Sequence, residues 1–100
     1  TIYTLETHLC YRREAHEGQP LGIDVTLLDR DAKRLHVFME MQDQDGQCLA
    51  TSEQMLMGIA SESGRPAPFP AAVVEHIERL PHAPAGDWPA LAGRKIGFRR

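Results

Sequence analysis

Four stretches of this chain alternate apolar and polar residues, and a single short helical pattern follows them. That combination constrains the fold more than any other feature. Residues 2–12 place Tyr3, Leu5, Leu9 and Tyr11 on one side of an extended strand, with Thr7 among them. Residues 21–30 do the same with Leu21, Ile23, Val25 and Leu27, and residues 34–42 with Leu35, Val37, Met39 and Met41. Residues 47–59 form the last run, which adds Leu49, Met55, Met57 and Ile59 in the simplest register. Its alternation blurs in the middle, as a bulge would make it. Period-two patterning of this kind predicts half-buried strands. The connections are short, and Asp43-Gln44-Asp45-Gly46 is a hairpin signal because glycine accepts positive φ.

Residues 70–80 read as the helix, opening on Pro70 and placing Val73, Val74, Ile77 and Leu80 on one side. Such a helix is only about 16 Å long at 1.5 Å per residue. It cannot cover four apolar strand faces, each large side chain of which gains about 1.5–3 kcal/mol on burial. A one-layer sheet is not a stable domain. Either a segment preceding Thr1 or another chain must complete the layer, and the first is the simpler expectation. The chain also begins on Thr1 and not on Met, so it reads as a piece of something longer or a processed product. Residues 81–100 are rich in Pro and Gly, carry Trp88, and end on Arg94, Lys95, Arg99 and Arg100. They read as an extended tail lying on a surface. The expected division is therefore 1–80 for the packed portion and 81–100 for the tail.

Composition narrows the function classes. A net charge of −3 argues against a nucleic-acid partner held by bulk charge. No apolar run approaches the roughly 18 residues of a membrane span, and no signal peptide precedes the first strand. Cys10 and Cys48 form neither a CxxC pair nor a disulfide framework. They read as buried free thiols in a reducing cytoplasm. The histidines, His8, His16, His36, His76 and His82, show no metal-ligand spacing and no HExxH motif, so neither a metal nor a cofactor is expected. His8 and His36 lie on the less apolar sides of their strands, where an imidazole is a candidate for proton transfer. Ser52 lacks a GxSxG context. The methionines fall at strand alternation and read as packing.

Three segments in order carry a family resemblance. Asp45-Gly46-Gln47-Cys48-Leu49-Ala50-Thr51 resembles the DGxLxAT element of hotdog-fold acyl-CoA thioesterases, the 4-hydroxybenzoyl-CoA thioesterase-like group. His8-Leu9-Cys10-Tyr11-Arg12-Arg13-Glu14-Ala15 resembles that group's strand ending in Tyr, and Gly64-Arg65-Pro66-Ala67-Pro68-Phe69-Pro70 its GRPAPLP segment. Together they span about residues 3–72. Ala50-Thr51-Ser52-Glu53-Gln54-Met55-Leu56, with Ala92-Gly93-Arg94, is most similar to the branch linked to carnitine and betaine catabolism. In that branch a betainyl-CoA thioesterase stands alone or is fused behind L-carnitine dehydrogenase.

The resemblance implies an α+β fold, a hotdog-like curved antiparallel sheet, whose long helix precedes the strands seen here. It also places the family's acidic general base or nucleophile before Thr1, so it assigns a catalytic role to no position of this sequence. It implies hydrolysis of a short acyl-CoA by a cytoplasmic homodimer or homotetramer. Coenzyme A phosphates need cations at a rim. Lys33 and Arg34, in the turn between the second and third runs, and Arg65, after the last, are the candidates. His8, Tyr11 and Phe38 are the candidates for the acyl pocket. A quaternary-ammonium acyl group would seek an aromatic ring or a carboxylate, and Tyr3, Tyr11, Phe38, Trp88, Glu40 and Glu53 offer these. The alternatives are a non-catalytic module that binds acyl-CoA or only dimerises, and an unrelated small-ligand β domain.

Overall fold

A computed structural model describes residues 1–98. The basic pair Arg99 and Arg100 lies outside the described residues. Four antiparallel strands form one sheet: β1 (Ile2–Tyr11), β2 (Gly22–Arg30), β3 (Arg34–Gln42) and β4 (Cys48–Gly58), in the spatial order β1-β4-β3-β2. One helix, α1 (Ala71–Glu78), follows. The expected strands and helix are all present, with ends differing by one or two residues.

Two turns are built by aspartates. Between β2 and β3, Asp31 Oδ1 accepts the Lys33 and Arg34 backbone N–H groups. Between β3 and β4, Asp43 Oδ1 accepts those of Asp45 and Gln47, and Gly46 supplies the positive φ of 78°. Both are Asx-type closures, in which a short carboxylate replaces a backbone acceptor.

The pairing slips at three places. The extra residues are Leu5 on β1, Leu28 on β2 and Leu49 on β4. Each bulge adds twist and bends the sheet. Each also re-aims the side chains beyond it, which corrects part of the sequence reading. Leu56, not Met55 or Met57, stands opposite Leu35 on the helix side of the sheet. Met55 pairs with His36 and Met57 with Arg34, so both methionines lie on the other side. Tyr3 follows them, because the Leu5 bulge separates it from Leu9 and Tyr11.

The helix side holds the main core: Leu27, Leu35, Val37, Phe69 and Ile77 are buried, with Met39, Leu56, Val73, Val74 and Leu80 packed against them. Away from α1 this side is open. Leu9 is half exposed, and Ile23 and Tyr11 more so. The tail takes the opposite side. It first runs beside the outer edge of β2, where Leu27 N–H donates to Pro81 O and Ala83 N–H to Leu27 O. It then crosses the sheet, resting Trp88 on His36 of β3 and Gly93 on Glu53 of β4.

Candidate active site

The site is built on the tail side from the polar positions of three strands. The register sets Glu53 of β4 between His8 of β1 and Phe38 of β3, and sets His36 opposite Met55. The long side chains of His36 and Glu53 meet diagonally across β3 and β4, with Nε2 2.6 Å from Oε2. The second carboxylate oxygen of Glu53 accepts the Gly93 N–H at 2.7 Å. Trp88 meets the His36 ring edge to face, with centroids 5.1 Å apart and planes at 88°. Gly93 has φ of 73°, a conformation that glycine adopts without strain. His36 and Glu53 are thus shielded but not sealed, with side chains 19% and 16% exposed.

Two clefts flank this pair. The larger, about 680 Å³, has His8, His36, Glu53, Glu6, Arg94 and Lys95 on its walls. The other, about 380 Å³, lies toward the β2–β3 turn and is lined by Asp29, Arg30, Asp31, Arg34, His36 and Met55. His36 and Met55 belong to both, so the imidazole stands on the ridge between them. The arrangement offers what acyl transfer to water requires: an oriented imidazole, a carboxylate partner, and cations within reach of an anionic ligand.

Of the cations read from the sequence, Lys33, Arg34 and Arg65 gather at one end of the sheet. Lys33 O accepts the Gly58 N–H, and Arg65 O accepts the Ala60 N–H, so β4 ties both segments to its C-terminal end. Arg34 is held by Asp31, through Nε at 2.8 Å and a terminal nitrogen at 2.6 Å. That guanidinium, with the turn N–H groups, holds the Asp31 carboxyl below its usual range, and Asp31 in turn raises Arg34. Lys33 and Arg65 side chains are exposed.

The three acyl-pocket candidates do not meet. His8 lines the larger cleft, with its ring near Cys10 Sγ at 3.6 Å. Phe38 is buried on the same side of the sheet, 3% exposed. Tyr11 is 82% exposed and points to the helix side, where it joins Arg12, Arg13 and Met41 around a separate cleft of about 600 Å³. Among the described residues no group of three or more His, Cys, Asp and Glu is placed to hold a metal ion. No helix among the described residues is long and apolar enough to cross a membrane.

The sequence had offered Glu53 and His36 as separate candidates and missed their pairing, because a pairing depends on register. It also missed Arg94 and Lys95 as cleft walls, since a Pro- and Gly-rich tail has no periodicity to place them. The one signal available was Trp88, a large apolar ring in a segment otherwise free of aromatics until Phe98.

Residues 1–77 match the sequence profile of the thioesterase-like superfamily. The chain belongs to that superfamily. It is 38% identical over 100 residues to the betainyl-CoA thioesterase of Pseudomonas aeruginosa, covering 98% of this chain and 63% of that protein. It is 37% identical over 102 residues to the L-carnitine dehydrogenase/betainyl-CoA thioesterase of Rhizobium meliloti, covering 100% of this chain and 21% of that protein. Among solved structures it is similar to a Staphylococcus aureus protein in complex with CoA, with a TM-score of 0.83 and 31% identity over 99% of this chain and 63% of that one. A thioesterase of Thermus thermophilus complexed with coenzyme A and Zn, 22% identical with a TM-score of 0.64 over 77% of this chain and 57% of that one, shares the fold. The chain therefore spans under two thirds of each of these relatives. The superfamily accounts for the curved antiparallel sheet and its short helix.

Proposed function

We propose that the protein carrying this chain is an acyl-CoA thioesterase of carnitine and betaine catabolism. It hydrolyses a short acyl-CoA to the free acid and CoA, with betainyl-CoA the first candidate. The observation that carries this reading is the likeness, along essentially the whole chain, to a protein named betainyl-CoA thioesterase. A cleft that joins an imidazole–carboxylate pair to two cations supports it independently. The acyl group would lie in that cleft beside His8, and Glu6 and Glu53 give a quaternary ammonium group its counter-charge. Tyr11, on the opposite side of the sheet, and Phe38, buried within it, are then outside the pocket of a single chain. Lys33 and Arg65 would meet the CoA phosphates, with Arg34 beside them on its Asp31 tether. The free thiols of Cys10 and Cys48 suit a cytoplasmic setting. A homodimer or homotetramer fits the outer edge of β1, which among the described residues pairs only with β4 and leaves Tyr3 and Leu5 about half exposed.

The full-length protein should release thiol from betainyl-CoA faster than from acetyl-CoA. No release from any acyl-CoA would leave the binding-module reading in its place. The Lys33→Glu, Arg65→Glu double variant should raise KM at least about tenfold, because each charge-assisted phosphate contact contributes about 1.5–3 kcal/mol. Its kcat should change little, since the phosphates lie far from the reacting carbonyl and bind ground and transition states alike. Steady-state kinetics at low salt checks this, and light scattering checks the oligomer.

A further inference from the structure

We propose that the larger cleft of the tail side binds a small free zwitterion, one carrying a quaternary ammonium group and a carboxylate, between Glu6 of β1 and Arg94 and Lys95 of the tail. The inference goes beyond the thioesterase reading and takes from it only the choice of probe. A free acid has a carboxylate where an acyl-CoA has a neutral thioester, so a wall of cations singles out the acid.

Glu6, Arg94 and Lys95 stand around one cleft of about 680 Å³, a size that takes small ligands. Among the described residues none of the three side chains has an ion pair or a hydrogen bond, so Glu6 shares the cleft with two cations and pairs with neither. The other carboxylate of the cleft, Glu53, is taken at both oxygens, by His36 Nε2 at 2.6 Å and by the Gly93 N–H at 2.7 Å. Glu6 is thus the carboxylate left to meet a cation. Arg94 is placed by the chain before it. The Ala92 N–H closes a turn on Pro89 O at 2.9 Å, and Gly93 follows with its positive φ and anchors to Glu53. A Cβ on Gly93 would stand 3.8 Å from the Trp88 indole, which itself rests on His36. Arg94 leaves that anchored point half-buried, and Lys95 beyond it is exposed. Met55 and Ile96 add apolar surface to the same cleft. A trimethylammonium group suits this mixture, because its methyls gain from apolar contact while a carboxylate balances its charge.

A ligand with both charges would do what the protein's own side chains do not. It would join β1 to the tail across the cleft. A ligand that binds only the attached tail also holds it attached. The Gly93 amide proton reports this, since it meets solvent when the tail lifts from Glu53.

The test uses the full-length protein and trimethylammonioacetate, the acid that hydrolysis of betainyl-CoA would release, with no acyl-CoA present. Titration calorimetry should show saturable binding that weakens as salt is added. Tetramethylammonium or acetate alone should bind at least about tenfold more weakly, since each lacks one of the charged contacts. Glu6→Gln should weaken zwitterion binding about tenfold, and so should the Arg94→Gln, Lys95→Gln double variant. None of these side chains belongs to the core, so the variants keep the fold. Exchange of the Gly93 amide should slow when the zwitterion is saturating. Absence of saturable binding, equal affinity for the zwitterion and for either half, or variants that bind as the wild type does would each overturn the proposal. So would binding that leaves Gly93 exchange unchanged. Thiol release tests the thioesterase reading separately, so a protein that hydrolyses no acyl-CoA still passes or fails here.

Discussion

Asp31 closes the β2–β3 turn almost unaided, accepting two backbone N–H groups and holding the Arg34 guanidinium. Its carboxyl is held below the ordinary range, first by the Arg34 side chain and then by the turn N–H groups. A carboxylate lowered on folding stabilises the fold above its unfolded-state pKa, and that contribution disappears as pH falls through the folded-state value. Asp31→Ala should therefore lower the melting temperature by a few degrees at neutral pH. As pH falls below the carboxylate range the variant and the wild type should converge, and calorimetry at neutral and acid pH checks it. Cys48 runs the other way. Burial, then the negative charge of Glu40, pushes its thiol up. The thiolate is the reacting species, so Cys48 should be slow toward alkylating reagents in the folded protein. In a Cys10→Ser background, iodoacetamide labelling should accelerate sharply on adding denaturant. Fast labelling of the native protein would show that the local opening is larger than the structure implies.

Among the elements, β4 is the strand that holds β1 to β3. It pairs with β1 and β3 along its length, and beyond Gly58 it ties down the segment that carries Arg65 and Phe69. Gly58 makes this close approach feasible. A Cβ there would sit 2.7 Å from Ala67 O and 3.1 Å from the Phe69 ring. The carbonyl belongs to the backbone and cannot rotate aside, so the segment itself would have to move. Gly58→Ala should cost about 1–3 kcal/mol, as overpacking does, and urea denaturation should register it as a lower midpoint with an unchanged slope. The strands were legible in the sequence because period-two alternation survives within each of them. What was not legible was which face each half-strand shows. One extra residue at Leu5 or Leu49 reverses the sense of everything beyond it, and a bulge leaves little trace in composition. The pairing of His36 with Glu53 was hidden for the same reason, since it exists only in one register.

At the scale of the molecule, the two sides of the sheet are unlike. The helix covers one end of its side and leaves Leu9, Tyr11 and Ile23 open, an imbalance that amphipathic strands and a short helix had already made visible. On the other side the tail starts along β2, crosses β3 and β4, and brings Arg94 and Lys95 to the cleft beside β1. That course could not be read from residues 81–98, because Pro and Gly carry no facial periodicity and a crossing chain is fixed by what it lands on. It has a practical result for light. Trp88 is the only tryptophan of these 100 residues, and its indole rests on the imidazole at the centre of the proposed site. The emission of this single ring should therefore shift to the red when the strap lifts and the indole meets water. Its colour would then report detachment at one place, without a label being added to the chain.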